Sequence, residues 1–208
     1  MHADNPVATT SLSETLKVAT AEAHRRAEQS PAQQDLVRGA LAEDRLAGHL
    51  GQMRHVHATL ERLFDTHPAP AAALAWNDDF RHTRRLDVDL RALGLEPAAI
   101  PAYPSTRRLI AQIEANVAED PMTLVGYFYV LEGSMNGNRF IVKALRQTPA
   151  AERCNFTYFD PYGDEQRARW ADFKARLDAV ELQEGQQEML VAAALGMFDG
   201  IAEMSREI

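Results

Sequence analysis

The sequence predicts a single all-α domain over residues 11–208, preceded by a flexible tail over residues 1–10. Apolar residues recur at helical spacings of three and four almost throughout the chain. No segment alternates apolar and polar residues as a half-buried strand would, and neither a repeat nor a linker divides the chain. A chain of 208 residues also buries enough apolar surface to form a core without disulfides or a structural metal.

The first two predicted helices have clear signals. Ser11 to Glu14 resembles a capping box, so a helix is expected over residues 12–29 and should end before Pro31. A second helix follows from apolar steps of 4, 3, 4, 3 and 4, and residues 65–70 should break it. The residues of this stripe are Leu46, Leu50, Met53, His57, Leu60 and Phe64.

Three helices are predicted in the middle of the chain. One covers residues 78–93, and another begins at Ser105. The expected buried side of the latter is Leu109, Ile110 and Ile113. Asp120 and Pro121 are typical of the N-cap and first helical positions, so the third helix should span residues 121–146.

The remainder of the chain is predicted to be a loop and two helices. The loop contains residues 155–163, which are rich in aromatic and turn-forming residues. The helices are expected over residues 165–180 and 185–206 and should close the domain.

Charge and cysteine content exclude several classes of protein. With 22 basic and 30 acidic residues the net charge is −8, which argues against a surface for nucleic acid or anionic membranes. Cys154 is the only cysteine, so a disulfide scaffold, a thiolate zinc cluster and a redox pair are excluded and a reducing cytoplasm is expected. No signal peptide and no membrane span are predicted, because the necessary apolar runs are missing.

The helix over residues 121–146 has an unusual glycine face. Gly126, Val130, Gly133 and Gly137 fall on one side of it, although each interior glycine costs roughly 1 kcal/mol relative to alanine. A face without side chains allows another body to approach the backbone, and it also permits a bend. Two alternatives stay open at this point: the body is a second helix, or it is a flat ligand.

His24 is the candidate metal ligand in the first helix, where it shares a face with Thr20 and Ala27. A single helical histidine is most often an ordinary surface or core residue. It can nevertheless act as the one axial ligand of a heme iron, because the porphyrin supplies four further bonds. His49 and His57 share a face with Met53, but no carboxylate has the spacing of a zinc-binding HExxH helix.

Four segments, in this order, resemble parts of heme oxygenases. Leu16–His24 is similar to their proximal helix, and Leu131–Asn138 to their glycine-rich distal helix. Phe156–Phe159 and Trp170–Leu177 resemble the parts that follow. The resemblance covers most of residues 12–206, and its Leu-Glu-Gly-Ser form is similar to the bacterial branch found beside bacteriophytochromes.

The resemblance implies an all-α fold in which heme b lies between the first helix and a kinked glycine helix. It implies that heme, as substrate and cofactor, is opened to biliverdin, ferrous iron and carbon monoxide. Dioxygen and an external reductase would supply the oxygen and electrons, and a phytochrome would be one acceptor of biliverdin. Two alternatives are a non-catalytic heme or tetrapyrrole binder on the same fold and a helical interaction protein in which His24 has no role.

The resemblance also implies roles for particular residues. His24 would be the axial iron ligand, and Gly133 and Gly137 would bring backbone over the opposite heme face. The heme propionates would be met by cations, since charge-assisted hydrogen bonds are strong. The cations implied are Lys17, Lys174 and Arg176.

Two positions of the distal helix differ from the common family pattern. Ser134 stands where many members have an aspartate that holds a proton-supplying water network, and serine is no acid near neutral pH. Asn138 stands in place of the second glycine of a pair. Asn136 and Asn138 would either replace part of that network by hydrogen bonding, or Asn138 would intrude on the pocket and weaken heme binding.

Overall fold

The computed structural model describes residues 10–208 and contains nine α-helices and no strand within that span. The predicted all-α, single-domain fold is confirmed. Apart from Thr10, the predicted tail over residues 1–10 lies outside the described residues. The helices are α1 (Leu12–Glu28), α2 (Pro31–Arg38), α3 (Glu43–Thr66), α4 (Pro68–Leu74), α5 (Thr83–Ala92), α6 (Pro104–Glu119), α7 (Thr123–Leu145), α8 (Gln166–Asp178) and α9 (Gln186–Glu207).

Helix α1 begins as predicted, but its end is followed directly by an unpredicted helix. The Ser11 hydroxyl accepts a hydrogen bond from the Glu14 backbone N–H at 3.4 Å, while the Glu14 carboxylate pairs with Lys17. Pro31, interpreted as the end of α1, is instead the first residue of α2, and the Ser30 hydroxyl caps it by accepting from Gln33 N–H. Proline at the first position of a helix loses no intrahelical hydrogen bond, so the same residue can stop one helix and start another.

Three predicted boundaries in the middle of the chain were wrong. Pro68, interpreted as a breaker, begins α4 for the same reason as Pro31 begins α2. The helix predicted over residues 78–93 is divided into a short 3₁₀ turn and α5, with the fully buried His82 between them. Helix α7 begins at Thr123 rather than Pro121, because the Asp120 carboxylate accepts from Met122 N–H at 2.8 Å in a turn before the helix.

Helix α7 is the centre of the domain and packs against α9, which also packs against α1 and α6. Residues 123–132 are all buried, and the six-residue stripe predicted for α3 is buried as well. The second half of α7 differs, since Ser134 and Gly137 are exposed. Helix α7 is continuous, and a bend at its glycines stays a prediction. None of the helices described over residues 10–208 is long and apolar enough to cross a membrane.

The loop between α7 and α8 is fixed to α5 by one buried carboxylate. Asp89, which is 1% exposed, accepts hydrogen bonds from the backbone N–H groups of Thr157 at 2.9 Å and Tyr158 at 2.8 Å. It also accepts one from the Thr157 hydroxyl at 3.1 Å. Just before this contact, Phe156 is buried with a left-handed φ of 53°, which turns the chain inward. The loop therefore brings Tyr158 and Tyr162 into the interior.

Candidate functional site

Helices α1 and α7, which contain the candidate residues, share two neighbours in the fold, because both pack against α8 and against α9. His24 lies on α1, and Gly133 and Gly137 lie on the second half of α7. Gly39, which follows α2, packs on the end of α7, where an added Cβ would lie 3.0 Å from the Ala144 carbonyl oxygen.

His24 is exposed on α1 and has a carboxylate beside one ring nitrogen. Its Nδ1 atom lies 3.6 Å from Glu28 Oε2, one helical turn away, and 58% of the side chain is exposed. The ring also meets Phe198 of α9 edge-on, at 5.9 Å between centroids. A metal-binding histidine commonly has a carboxylate partner on its second nitrogen, which orients the ring. Glu28 was not among the residues predicted from the sequence, although its spacing of four from His24 was a usable signal.

A groove of about 840 Å³ adjoins this histidine between α1, the start of α2 and α9. Phe198 forms part of its wall, so the ring that contacts His24 also faces the groove. Its lining combines apolar residues with cations, among them Ala23, Ala27, Ala202, Arg26, Arg45 and Arg206. This volume is within the range of small-molecule pockets, but the lining also contains Asp199, which pairs with Arg26 at 3.6 Å, and no residue of α7.

The three glycines of α7 have different surroundings. A Cβ added at Gly126 would overlap the Leu190 carbonyl oxygen, so this glycine allows α9 to pack closely. At Gly133 the added atom would lie 3.3 Å from the Trp170 ring of α8. At Gly137 no atom lies within 4 Å of the added Cβ. Both alternatives left open by the sequence are therefore represented: Gly126 serves helix packing, and Gly137 leaves open space beside the backbone.

The polar residues of the glycine segment divide between two faces. Ser134 is exposed, and its hydroxyl donates to the Leu131 carbonyl at 2.7 Å. Asn136 is half-buried and donates to the Gly133 carbonyl at 2.9 Å. Asn138 is buried, with its amide nitrogen 3.3 Å from the Met135 sulfur. The structure therefore directs Asn138 into the core, where it neither lines nor obstructs the exposed face of Ser134 and Gly137.

The three predicted cations have different surroundings. Lys17 is exposed on α1 and pairs with Glu14 at 3.0 Å, and Lys174 lies over Trp170, the ring that borders Gly133. Arg176 instead pairs with Asp172 at 2.8 Å in a separate groove that also contains Asp79 and Arg169. Residues two apart on a helix point to nearly opposite sides, so α8 cannot present both Lys174 and Arg176 to one ligand.

Glu132 is a buried acid on the side of α7 that faces away from Ser134. Only 1% of it is exposed, and its Oε2 accepts a hydrogen bond from the Tyr162 hydroxyl at 3.2 Å. His82 Nε2 lies 3.7 Å from the same oxygen, while Oε1 has no hydrogen-bond partner. Burial raises the pKa of Glu132 to about 7, despite the opposing effects of the Tyr162 hydrogen bond and of nearby arginines.

Further buried rings extend this cluster behind α7. The His57 Nε2 atom lies 3.1 Å from the Tyr158 hydroxyl, and the two histidine rings of His57 and His82 meet at 5.2 Å. Burial lowers the pKa of His82 to about 3, so both rings are neutral near pH 7. His57 was predicted to belong to an apolar stripe and was weighed with His49 as a zinc ligand, but the cluster was not predicted. The one available signal was Glu132 itself, an acid within an apolar run.

Comparison with known proteins gives one family. The family model described as heme oxygenase matches residues 10–207 of this chain. No curated protein sequence matches the chain significantly.

Several solved structures are similar in fold. Heme oxygenase from Leptospira interrogans has a TM-score of 0.85 at 19% identity, over 96% of this chain and 100% of that one. Heme oxygenase-1 from Synechocystis sp. PCC6803, solved in complex with heme, has a TM-score of 0.83 at 17% identity over 95% and 92%. Heme oxygenase-2 from the same cyanobacterium, in complex with heme and NO, has a TM-score of 0.84 at 20% identity over 95% and 85%.

Proposed function

Because the chain belongs to the heme oxygenase family, we propose that it cleaves heme to biliverdin, ferrous iron and carbon monoxide. Dioxygen and an external electron-donating reductase supply the oxygen and electrons, and a phytochrome is one acceptor for the biliverdin. The cytoplasm suits this reaction, since the only cysteine, Cys154, is an unpaired thiol. The observation that supports the proposal is the pairing of an exposed histidine, His24 on α1, with Gly137 on α7, which has open space beside its backbone.

His24 binds the iron in this proposal through its Nε2 atom. Glu28 Oε2 lies 3.6 Å from Nδ1, so after a small shift of the side chain it can accept a hydrogen bond from Nδ1–H, which leaves Nε2 unprotonated and free for a metal. When bound, heme supplies both the iron at which dioxygen reacts and the ring that is opened. Phe198 supports the imidazole ring from α9 and limits its rotation.

The open side of α7 fits the opposite face of a flat macrocycle. A Cβ at Gly137 would project into space that holds no protein atom within 4 Å, so a planar ligand can approach the backbone there. Gly133 is closed by Trp170, whose ring adds an apolar wall to the same region. Ser134, exposed beside Gly137, can hold water by hydrogen bonding above the ligand.

Lys17 and Lys174 are the cations that we assign to the propionates. Both lie on the elements that border the proposed site, and an ammonium group gains from a charge-assisted hydrogen bond to a carboxylate. Arg176 and Asn138 are left out of the proposed site, because one lies in a separate groove and the other is buried against Met135.

Hemin titration of the purified protein tests the proposal. We expect a Soret band on binding, followed by its decay into the spectrum of biliverdin when ascorbate or a reductase is added in air. A stable Soret band would instead support the non-catalytic heme binder, which the lack of an acid at Ser134 favours. Failure to form any Soret band would rule out both and leave the helical interaction protein.

A further inference from the structure

The proposed site has no acid on the exposed face of α7, yet the buried acid Glu132 directly precedes Gly133. Ring opening by dioxygen consumes protons, and neither Ser134 nor Asn136 can release one near neutral pH. Glu132 precedes Gly133 directly, is buried, and has one carboxyl oxygen without a hydrogen-bond partner. A buried carboxyl oxygen without a hydrogen-bond partner is uncommon, because burial has removed the hydrogen bond that water would provide, and such an atom often has a functional role.

We propose that Glu132 is the proton store of this site, and that it supplies the distal face through Asn136 and is refilled through Tyr162. The inference rests on the proposed function, since it assigns a further residue to the same reaction. Glu132 acts through other groups and does not itself contact the ligand, so it is a positioning and proton-supplying residue.

The placement of side chains around α7 gives the route. Asn136 follows Glu132 by one helical turn and therefore lies on nearly the same flank, between Glu132 and the open side at Gly137. Its amide binds the Gly133 carbonyl at 2.9 Å, and its oxygen accepts from Gln166 at 3.4 Å. Asn136 is half-buried, so part of its side chain is covered by protein and part is accessible to water.

Glu132 gives up one proton to the distal face and regains one from Tyr162. Glu132 releases its carboxyl proton to water held at Asn136 and becomes a carboxylate. Glu132 Oε2 is then refilled in one concerted step, in which Tyr162 passes on its hydroxyl proton over 3.2 Å while its oxygen takes a solvent proton delivered by water, so that no tyrosinate forms. No electrons move in these steps, and both residues return to their starting states.

The groups around Glu132 keep it protonated near neutral pH. Tyr162 and Tyr158 face it from the loop, His82 from the turn before α5, and His57 lies behind His82 on α3. All four are neutral at that pH, because burial raises the pKa of both tyrosines and lowers that of both histidines. Arg85 and Arg169 favour the carboxylate, but burial outweighs them and raises the pKa of Glu132 to about 7. The acid is therefore poised to give up and regain a proton.

The isosteric variant Glu132→Gln tests this role, with the exposed Glu188→Gln of α9 as the matched control. In the ligand-free protein, infrared difference spectra should show a protonated carboxyl band that titrates near pH 7 and is absent from E132Q. With hemin and an electron donor, E132Q should turn over roughly 100-fold more slowly with a flattened pH profile. Hemin affinity and the Soret band should stay unchanged, and E188Q should behave as wild type.

Tyr162→Phe provides a second test that keeps the ring packing. Removing the hydroxyl takes away a hydrogen bond that lowers the pKa of Glu132, so the infrared midpoint should move to higher pH and turnover should slow. The proposal would be overturned if the wild-type spectrum shows no titrating carboxyl band, or if that band is still present in E132Q. Equal turnover and pH profiles in E132Q and wild type would also overturn it, with the proposed function intact. A wild-type protein that binds but never degrades hemin would reject the proposed function and this role together.

Discussion

The Nδ1 atom of His24 lies 3.6 Å from the Glu28 carboxylate, and both side chains are more than half exposed. An exposed pair of this kind contributes little to stability, so its value lies in orienting the imidazole. We expect Glu28→Gln to weaken hemin binding by about tenfold at an unchanged urea midpoint. Hemin titration and urea unfolding of the same samples measure both, and a large loss of stability would contradict an orienting role.

Replacing the proposed iron ligand removes the one protein bond to the metal. His24→Ala should lose the normal ferric Soret spectrum and all turnover, because no other imidazole lies on the same face of α1. His67→Ala, at the junction of α3 and α4, is the control and should keep both. If His24→Ala gives the wild-type spectrum, the axial ligand has been assigned wrongly.

Alanine at two glycines of α7 should have opposite effects on stability. Gly137→Ala should stabilise the ligand-free protein by up to about 1 kcal/mol, since its Cβ enters open space and alanine is the better helix former. Gly126→Ala should destabilise it by ~1–3 kcal/mol, because its Cβ overlaps the backbone of α9. Urea unfolding gives the free energy of unfolding of both variants. If both free energies change in the same direction, the surroundings described for the two glycines are wrong.

The space beside Gly137 should also matter for the ligand. Gly137→Leu should fill it with a side chain and weaken hemin binding by at least about tenfold, while the fold is retained. Circular dichroism checks the fold, and hemin titration gives the affinity. Undiminished hemin affinity would mean that the ligand does not lie over this part of α7.

An acid introduced on the distal face should change the reaction and leave binding intact. Ser134 is exposed, so Ser134→Asp adds a carboxylate without a burial cost. We expect turnover to change by roughly tenfold, because positioned acids contribute strongly to proton transfer, with hemin affinity unaltered. Single-turnover spectra provide the rate and the product. If neither the rate nor the product differs from wild type, Ser134 has no part in handling water or protons.

The buried acid also makes stability depend on pH. The pKa of Glu132 is raised from 4.5 to about 7 on folding, so the folded protein keeps a proton that the unfolded chain releases in this interval. Stability contributed by this group is therefore full below pH 4.5 and is lost as the pH rises to 7, by up to ~3 kcal/mol. Urea unfolding of wild type and E132Q at several pH values should show this loss in wild type only. Parallel pH profiles would mean that Glu132 is ionised in the folded state.

Helical periodicity predicted most of the fold, and proline accounts for the helices that were missed. The apolar stripe of α3 was correct residue by residue, because a 3.6-residue period depends only on neighbours along the chain. Pro31 and Pro68 were interpreted as ends and are starts, since the local sequence does not say whether the chain continues as coil or enters a new helix.

Some residues of the candidate site could be identified from their neighbours in the sequence, whereas others depend on contacts between distant parts of the chain. His24 and Gly137 were identified because each is unusual within its own helix. The side of α8 that faces α7 depends on tertiary packing, so Lys174 and Arg176 had equal claims in the sequence and different places in the structure. Glu132 meets Tyr162, 30 residues away, and no local pattern announces a contact over that distance.

The three hydrogen bonds that Asp89 accepts from Thr157 and Tyr158 join a loop to a helix as one cooperative unit. Local fluctuations normally open loops at little cost, but opening this loop would strand a buried carboxylate and so requires α5 to yield as well. We therefore expect Tyr158 to keep its contact with His57, and Tyr162 its contact with Glu132, when the protein surface fluctuates. Asp89 therefore steadies the buried cluster around Glu132 through its hydrogen bond with the Tyr158 backbone.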